Sequence, residues 1–289
     1  MQQDQPLVFI PGLFETPHIW QSTIDRLELP AASVAHLHLV GHRPEDTLPF
    51  DLDRWVDEAV AVIDRHGAGR PVTLVCHSTG GLLGLILARR MPEKIESLVL
   101  VGSLSCGHRD RASKLDERLL ARPLLGKVLF AMAGRRWLRT QASFQRGLRS
   151  VTTAEVAGAI PEDMRLMLKR CNAASALSMT RWVLNTSIIA QLPEITVPIL
   201  AMIGQRDSVV PPSHQLRMMQ AAPMAQACLM DAAHMPFLEN PTAFDQALTG
   251  WLQLGPRAVR EAQDQEADLR ASNAFRAAST APRLTQVQR

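Results

Sequence analysis

The stretch from Val72 to Gly81, VTLVCHSTGG, decides the fold of this chain. An apolar run of strand length leads into Ser78, and two glycines then open a helical segment. A tight strand-to-helix turn of this kind projects a serine hydroxyl, and the N-terminus of the following helix favours developing negative charge. The turn needs small residues two positions before and two positions after the serine, which here are Cys76 and Gly80. Ser78 is therefore a candidate nucleophile, with Cys76 standing where glycine is usual.

Predicted strands and helices alternate on both sides of this stretch. Apolar runs predict strands at residues 7–10, 34–40, 72–76, 95–101, 197–203 and 227–230. Helical spacing of apolar residues predicts helices at residues 52–66 and 82–90, after Pro212, and at residues 236–252. This alternation predicts an α/β fold with a mostly parallel, doubly wound sheet.

The alternation is interrupted once and ends before the chain does. Residues 105–190 show helical patterning without a clear strand, which predicts an inserted helical lid. We expect residues 1–104 and 191–254 to form the α/β core. Residues 255–289 have few large apolar side chains and predict a polar tail, either a frayed helix or disordered.

Composition excludes several classes of protein. The 289 residues are 46% hydrophobic and 20% charged, as in soluble globular proteins. No apolar run reaches the roughly 18 residues that span a membrane, and the N-terminus lacks the pattern of a signal peptide. The four cysteines form no CxxC pair, which predicts a reducing cytoplasm and neither a zinc site nor a disulfide framework. A formal net charge of +3 is too weak to indicate nucleic-acid binding.

Two further polar residues directly follow predicted strands. Asp207 lies in GQRDSVVP, after the strand at residues 197–203, and His234 lies in AAHMPF, after the strand at residues 227–230. Each alone has an ordinary interpretation as a turn or helix-capping residue. Serine, then aspartate, then histidine, each just past a different strand, is nevertheless the chain order of one fold of hydrolases. The carboxyl ends of parallel strands meet at one edge, so we predict a Ser78–His234–Asp207 triad.

At these residues the chain resembles the α/β-hydrolase family, over residues 6–104 and 190–252. The segment FIPGLF at residues 9–14 resembles the oxyanion loop of that family, with Pro11 where histidine is frequent. The resemblance implies that the backbone N–H groups of Leu13 and Thr79 form an oxyanion hole. It implies no metal and no organic cofactor. Some members carry the acid after the strand at residues 95–101, but no carboxylate stands there, so Asp207 is the candidate acid.

The resemblance implies a serine hydrolase that cleaves a small carboxylic ester through an acyl-enzyme. A serine nucleophile argues against the dehalogenase and epoxide hydrolase chemistries of this fold, which use aspartate. Thioesterase, lactonase, C–C hydrolase and peptidase activities remain open. One alternative is a specialised esterase, similar to the pimeloyl-[acyl-carrier protein] methyl ester esterases, or a thioesterase, acting on an anionic acyl substrate. An alternative of another class is a non-catalytic ligand-binding protein on the same fold.

The predicted lid is strongly basic. Between Arg109 and Arg181 the chain has fifteen basic and six acidic residues, a net charge of +9 against +3 for the whole chain. One interpretation is an ordinary solvated helix surface. The other is recognition of an acidic acyl-carrier protein, a coenzyme A ester or a carboxylated acyl chain, since the guanidinium fork pairs with carboxylate and phosphate. The arginines predicted to do so are Arg135, Arg136, Arg139, Arg146 and Arg149.

Two other groups of residues have a structural and a functional interpretation. His36, His38 and His42 lack a carboxylate or cysteine partner at metal-ligand spacing, so we predict solvent-facing strand positions instead. Four large side chains of the insertion either line an acyl pocket or form the core of the lid: Met164, Met167, Met179 and Trp182.

Overall fold

The structure is a computed structural model that describes residues 5–107 and 122–280. Six strands form one sheet in the order β2-β1-β3-β4-β5-β6, and every neighbouring pair is parallel. This arrangement confirms the predicted α/β fold. The strands are β1 (Leu7–Ile10), β2 (Val34–His36), β3 (Val72–His77), β4 (Ile95–Val101), β5 (Ile199–Gly204) and β6 (Ala225–Met230).

The helices that flank the sheet follow the predicted alternation. Three lie before β4: α1 (Gln21–Arg26), α2 (Leu52–Gly67) and α3 (Thr79–Arg90). Among the described residues, five lie between β4 and β5: α4 (Pro123–Trp137), α5 (Gln141–Leu148), α6 (Ala154–Ala159), α7 (Glu162–Arg170) and α8 (Ala173–Asn185). Three follow β5: α9 (Pro212–Ala221), α10 (Pro236–Glu239) and α11 (Pro241–Thr280). The action of α4–α8 as a lid stays a prediction.

The four inner strands of the sheet, β1, β3, β4 and β5, are buried on both faces. Successive side chains of a strand point to opposite sides, so Leu74 and Cys76 join one apolar cluster while Val75 joins the other. This double burial explains why the central strands are continuous apolar runs instead of alternating ones. Within residues 5–107 and 122–280, no helix is long and apolar enough to cross a membrane.

The second strand is shorter than predicted. The apolar pattern predicts a strand over residues 34–40, but β2 ends at His36. Among the described residues its one neighbour in the sheet is β1, which stops at Ile10 before Pro11. After the N–H of Leu37 donates to the carbonyl oxygen of Phe9, no described strand is left to pair with the segment. The other strand boundaries lie within two residues of those predicted.

The last helix is longer than predicted. The pattern predicts an end near residue 252, yet α11 continues to Thr280 with Pro256 inside it. The segment after the proline keeps tertiary contacts: Val259 is buried, and Arg260 binds both the carboxylate and the carbonyl oxygen of Glu96. These contacts outweigh the local helix-breaking tendency of proline, which a sequence pattern alone registers.

Candidate active site

Ser78 lies at the point where the strand order reverses. The chain leaves β1 for β2 on one side and returns to β3 on the other, and ligands of open α/β sheets bind at such a point. Ser78 has φ 50° and ψ −115°, a strained conformation for a residue with a side chain. The helix α3 begins immediately at Thr79, three residues earlier than predicted. This is the sharp strand-to-helix turn that exposes a serine hydroxyl.

Close packing around this turn explains the small residues of the motif. A Cβ atom on Gly80 would lie 2.6 Å from the carbonyl oxygens of Ile10 and Pro11. Cys76, which stands where glycine is usual, packs against Gly84 of α3, where a Cβ atom would lie 2.7 Å from its Sγ. Burial raises the pKa of the Cys76 thiol, which keeps it neutral. The absence of a side chain at Gly84 of α3 therefore makes room for the Cys76 thiol.

His234 and Asp207 form a buried pair. Nδ1 of His234 lies 2.8 Å from Oδ2 of Asp207, and both residues are less than 5% exposed. The other oxygen of Asp207 accepts hydrogen bonds from the N–H groups of Val209 and Val210, each at 2.8 Å. Nε2 of Gln215 donates to Oδ2 at 3.1 Å. The carboxylate is thus fixed in position, and no sequence motif pointed to Gln215.

The Ser78 hydroxyl completes the group of three predicted residues. Ser78 and His234 line the same cavity. Among the described residues the hydroxyl makes no hydrogen bond. Hydrogen bonds between a nucleophile and its base are often long in free enzymes and tighten in the substrate complex. The structure therefore places the three predicted residues together, with the His234–Asp207 contact already made.

The segment after β1 presents one unused N–H group. The N–H of Gly12 donates to Oε2 of Glu15 at 2.6 Å, and the N–H of Phe14 donates to Nε2 of His42 at 2.7 Å. Between them, the N–H of Leu13 has no acceptor among the described residues. Thr79 is the first residue of α3, so its N–H has no partner inside the helix. These two groups are the predicted oxyanion donors.

His42 is not a solvent-facing strand residue, and that prediction is wrong. It is 3% exposed, lies beyond β2 and accepts the Phe14 N–H. Its Nδ1 faces the carbonyl oxygen of Val40 at 3.2 Å, and burial lowers the pKa of its imidazole. A neutral ring with the proton on Nδ1 satisfies both contacts. The described residues contain no cluster of three or more metal-ligating side chains.

The cavity above Ser78 has a volume of about 720 Å³. Its walls come from the segment after β1, from the inserted helices and from α9. Arg217 of α9 also lines this cavity, and sequence analysis missed it. None of the four large side chains of the insertion lines this cavity or the next one, and two of them, Met164 and Met179, are buried in the apolar clusters.

A second cavity, also of about 720 Å³, lies beside the first. The two share Phe14 and Trp137, whose rings meet edge to face at 6.0 Å. The charged side chains that line the second cavity are Arg135, Arg139 and Lys169. The remaining predicted arginines, Arg136, Arg146 and Arg149, are exposed and line neither cavity. Part of the basic segment, Arg109 to Arg118, lies outside the described residues.

A buried carboxylate and imidazole lie behind Ser78. His77 directly precedes the serine, and its Nδ1 lies 2.8 Å from Oε1 of Glu15. Its Nε2 lies 2.9 Å from the backbone carbonyl oxygen of His234. Sequence analysis assigned no role to Glu15 or to His77, although His77 lies inside VTLVCHSTGG, and only the folded chain brings the two residues together.

Comparisons with known proteins show the family of this chain. A family model described as "Alpha/beta hydrolase family" matches residues 7–247. A pimeloyl-[acyl-carrier protein] methyl ester esterase of Neisseria meningitidis is 30% identical over 240 residues, covering 81% of this chain and 88% of that protein. An enzyme of the same name from Shewanella woodyi is 28% identical and covers 86% of this chain and 94% of that protein.

A solved structure, a hydrolase from Pseudomonas aeruginosa, superposes with a TM-score of 0.67 at 23% identity, covering 86% of this chain and 90% of that one. That likeness concerns the fold alone. The family match extends over most of the chain, from β1 into α11. This chain belongs to the alpha/beta hydrolase family.

Proposed function

We propose that this protein hydrolyses a carboxylic ester, with Ser78 as nucleophile, His234 as general base and Asp207 as the residue that orients His234. The observation that carries the proposal is the buried His234–Asp207 contact of 2.8 Å beside a serine with φ 50°. The aspartate fixes the tautomer with the proton on Nδ1, which leaves Nε2 free to accept a proton.

The proposed reaction has two halves. His234 takes the proton of Ser78 as Oγ attacks the ester carbonyl, and the N–H groups of Leu13 and Thr79 stabilise the oxyanion, each worth about 3 kcal/mol. The intermediate collapses, the C–O bond to the alcohol breaks, and His234 gives its proton to the leaving alkoxide. Water, deprotonated by His234, then attacks the acyl-serine, the bond between the acyl carbon and Oγ breaks, and His234 returns the proton to Ser78 as the acid leaves.

The choice of an ester bond is supported by the relatives. The two named above carry the name of an esterase, and both align with most of this chain.

A fluorophosphonate probe followed by an ester and thioester panel tests the proposal. The probe is expected to label Ser78, and a p-nitrophenyl ester is expected to give a burst followed by repeated turnover. Ser78→Ala is expected to keep the fold, measured by circular dichroism, and to lose labelling and essentially all hydrolysis. Hydrolysis by Ser78→Ala above a few per cent of the wild-type rate would contradict the assignment, and binding without turnover would favour a ligand-binding protein.

A second candidate function is hydrolysis of a specialised ester whose acyl chain bears an anion, free or on an acidic carrier protein. The second cavity favours it, since its charged lining residues are all cationic. Arg135, Arg139 and Lys169 make no ion pair with a described residue, so their charges are available to an anionic group. Methyl esters of linear acids with and without a terminal carboxylate test this candidate. A higher kcat/KM for the anionic member is expected, and equal values would contradict it.

A further inference from the structure

The buried pair of Glu15 and His77 takes no part in the chemistry proposed above. Its side chains are only 6% and 0% exposed. Burying two charges is costly unless their hydrogen bonds are satisfied. Here each imidazole nitrogen forms a hydrogen bond, one with Oε2 of Glu15 at 2.9 Å and the other with the carbonyl oxygen of His234 at 2.9 Å. Both ring nitrogens of His77 therefore have hydrogen-bond partners inside the protein.

The contacts of His77 favour its doubly protonated form. One ring nitrogen faces a carboxylate and the other a carbonyl oxygen, and only an imidazolium donates from both. Burial lowers the pKa of His77, but the charge and hydrogen bond of Glu15 outweigh it and raise that pKa above its ordinary value. Burial raises the pKa of Glu15, but the attraction of His77 outweighs it and lowers that pKa. Both pKa shifts favour an imidazolium at His77 beside a carboxylate at Glu15.

The pair connects the two halves of the proposed site. Oε2 of Glu15 accepts the N–H of Gly12 at 2.6 Å, directly before Leu13. A Cβ atom on Gly12 would lie 2.9 Å from that oxygen, so glycine permits the approach. From Gly12 the hydrogen bonds run through Glu15 and His77 to the carbonyl oxygen of His234. The segment carrying the Leu13 N–H is thus tied to the segment carrying the base.

We propose that Glu15 and His77 are positioning residues, which hold the Leu13 N–H in register with Ser78 and His234 for binding the oxyanion. This inference rests on the proposed ester hydrolysis. Misplacing a catalytic group by about 1 Å costs about 100-fold in rate. Glu15→Gln is therefore expected to lower kcat by about 10- to 100-fold, with KM little changed. His77→Gln is expected to do the same, and the double variant to be no worse than either single one.

The dependence of kcat on pH distinguishes positioning from mere stability. The charged or titratable groups near His77 are Glu15, Asp207 and His234, and the rings of Trp20 and Phe237 enclose the rest of it. Deprotonation of His77 at alkaline pH removes a donor from the pair and should lower kcat. Glu15→Gln removes the main cause that raises the pKa of His77, so this alkaline fall is expected to move to lower pH.

Glu194→Gln is the matched control. Glu194 forms an exposed ion pair with Arg89, so the same loss of charge occurs away from the site. It is expected to leave kcat and the alkaline fall unchanged. If Glu15→Gln lowers the melting temperature but leaves kcat and the pH profile like those of the wild type, the inference is overturned and the proposed function stands. A wild type without esterase activity overturns both.

Histidine ¹⁵N NMR of the wild type gives a readout that needs neither activity nor a folded variant. The ring of His77 is expected to carry protons on both nitrogens at pH 7. A ring of His77 with a single proton at that pH overturns the inference even if Glu15→Gln does not fold.

Discussion

At the scale of single residues, the difference between two aspartates tests the choice of acid. Asp207 is 3% exposed and touches His234, whereas Asp231 is exposed and pairs with Arg206. In Asp207→Asn the amide N–H can hold the wrong tautomer of His234, so kcat is expected to fall by about 10⁴-fold. Asp231→Asn is expected to change kcat little. Steady-state kinetics of both variants measure these changes in kcat. If Asp207→Asn keeps the wild-type kcat while Asp231→Asn is inactive, Asp231 and not Asp207 is the acid that orients His234.

At the scale of elements, the contact between β3 and α3 makes room for the unusual cysteine of the motif. A Cβ atom on Gly84 would lie 2.7 Å from Sγ of Cys76, so Gly84→Ala is expected to lower the free energy of unfolding by about 1–3 kcal/mol. Adding Cys76→Ala should recover part of that loss, because the two sites touch. Urea unfolding of Gly84→Ala, of Cys76→Ala and of the double variant measures the coupling.

Gly250→Ala is the matched control for that series. Gly250 also lies inside a helix, α11, but nothing lies within 4 Å of a Cβ atom added there. This substitution is expected to raise the free energy of unfolding by about 0.5–1 kcal/mol, since alanine is the better helix residue. Equal destabilisation by Gly84→Ala and Gly250→Ala would show that the contact with Cys76 is not the cause of the first result.

At the scale of the whole molecule, charge is unevenly distributed along the chain. Residues 109–181 carry a net charge of +9, which leaves −6 for the remainder. Such asymmetry can steer an anionic substrate, and exposed charges are screened within about 10 Å at 0.1 M salt. For an anionic ester, kcat/KM is therefore expected to fall steeply with salt, and for a neutral ester to stay nearly constant. Stopped-flow or steady-state assays across a salt series measure both.

The double variant Arg135→Ala/Arg139→Ala shows whether the second cavity carries that effect. Both arginines line this cavity, while Arg146 and Arg149 do not and serve as the control pair. The first double variant is expected to lose more of the salt-dependent preference than the second. If kcat/KM depends equally on salt for anionic and neutral esters in the wild type and in both double variants, these arginines do not contribute to substrate recognition.

Local patterns and chain order were sufficient to predict the parallel sheet and the positions of three candidate residues. Apolar runs and helical spacing involve only residues that are close along the chain, so the sequence alone is sufficient to detect them. Because the carboxyl ends of parallel strands share one edge, residues that follow β3, β5 and β6 had to lie near one another. The structure places Ser78 after β3, Asp207 after β5 and His234 after β6, in that chain order.

Contacts between distant residues were decided by the tertiary structure alone. Phe14 and His42 are 28 positions apart, Glu15 and His77 are 62, and His77 and His234 are 157. No periodicity marks such pairs, and the pKa of His77 is raised only because the fold places the Glu15 carboxylate beside its ring. The sequence by itself determined which strands and turns form and where the candidate triad lies along the chain. Packing decided which polar groups support it, because burial and hydrogen-bond partners exist only once the chain has folded.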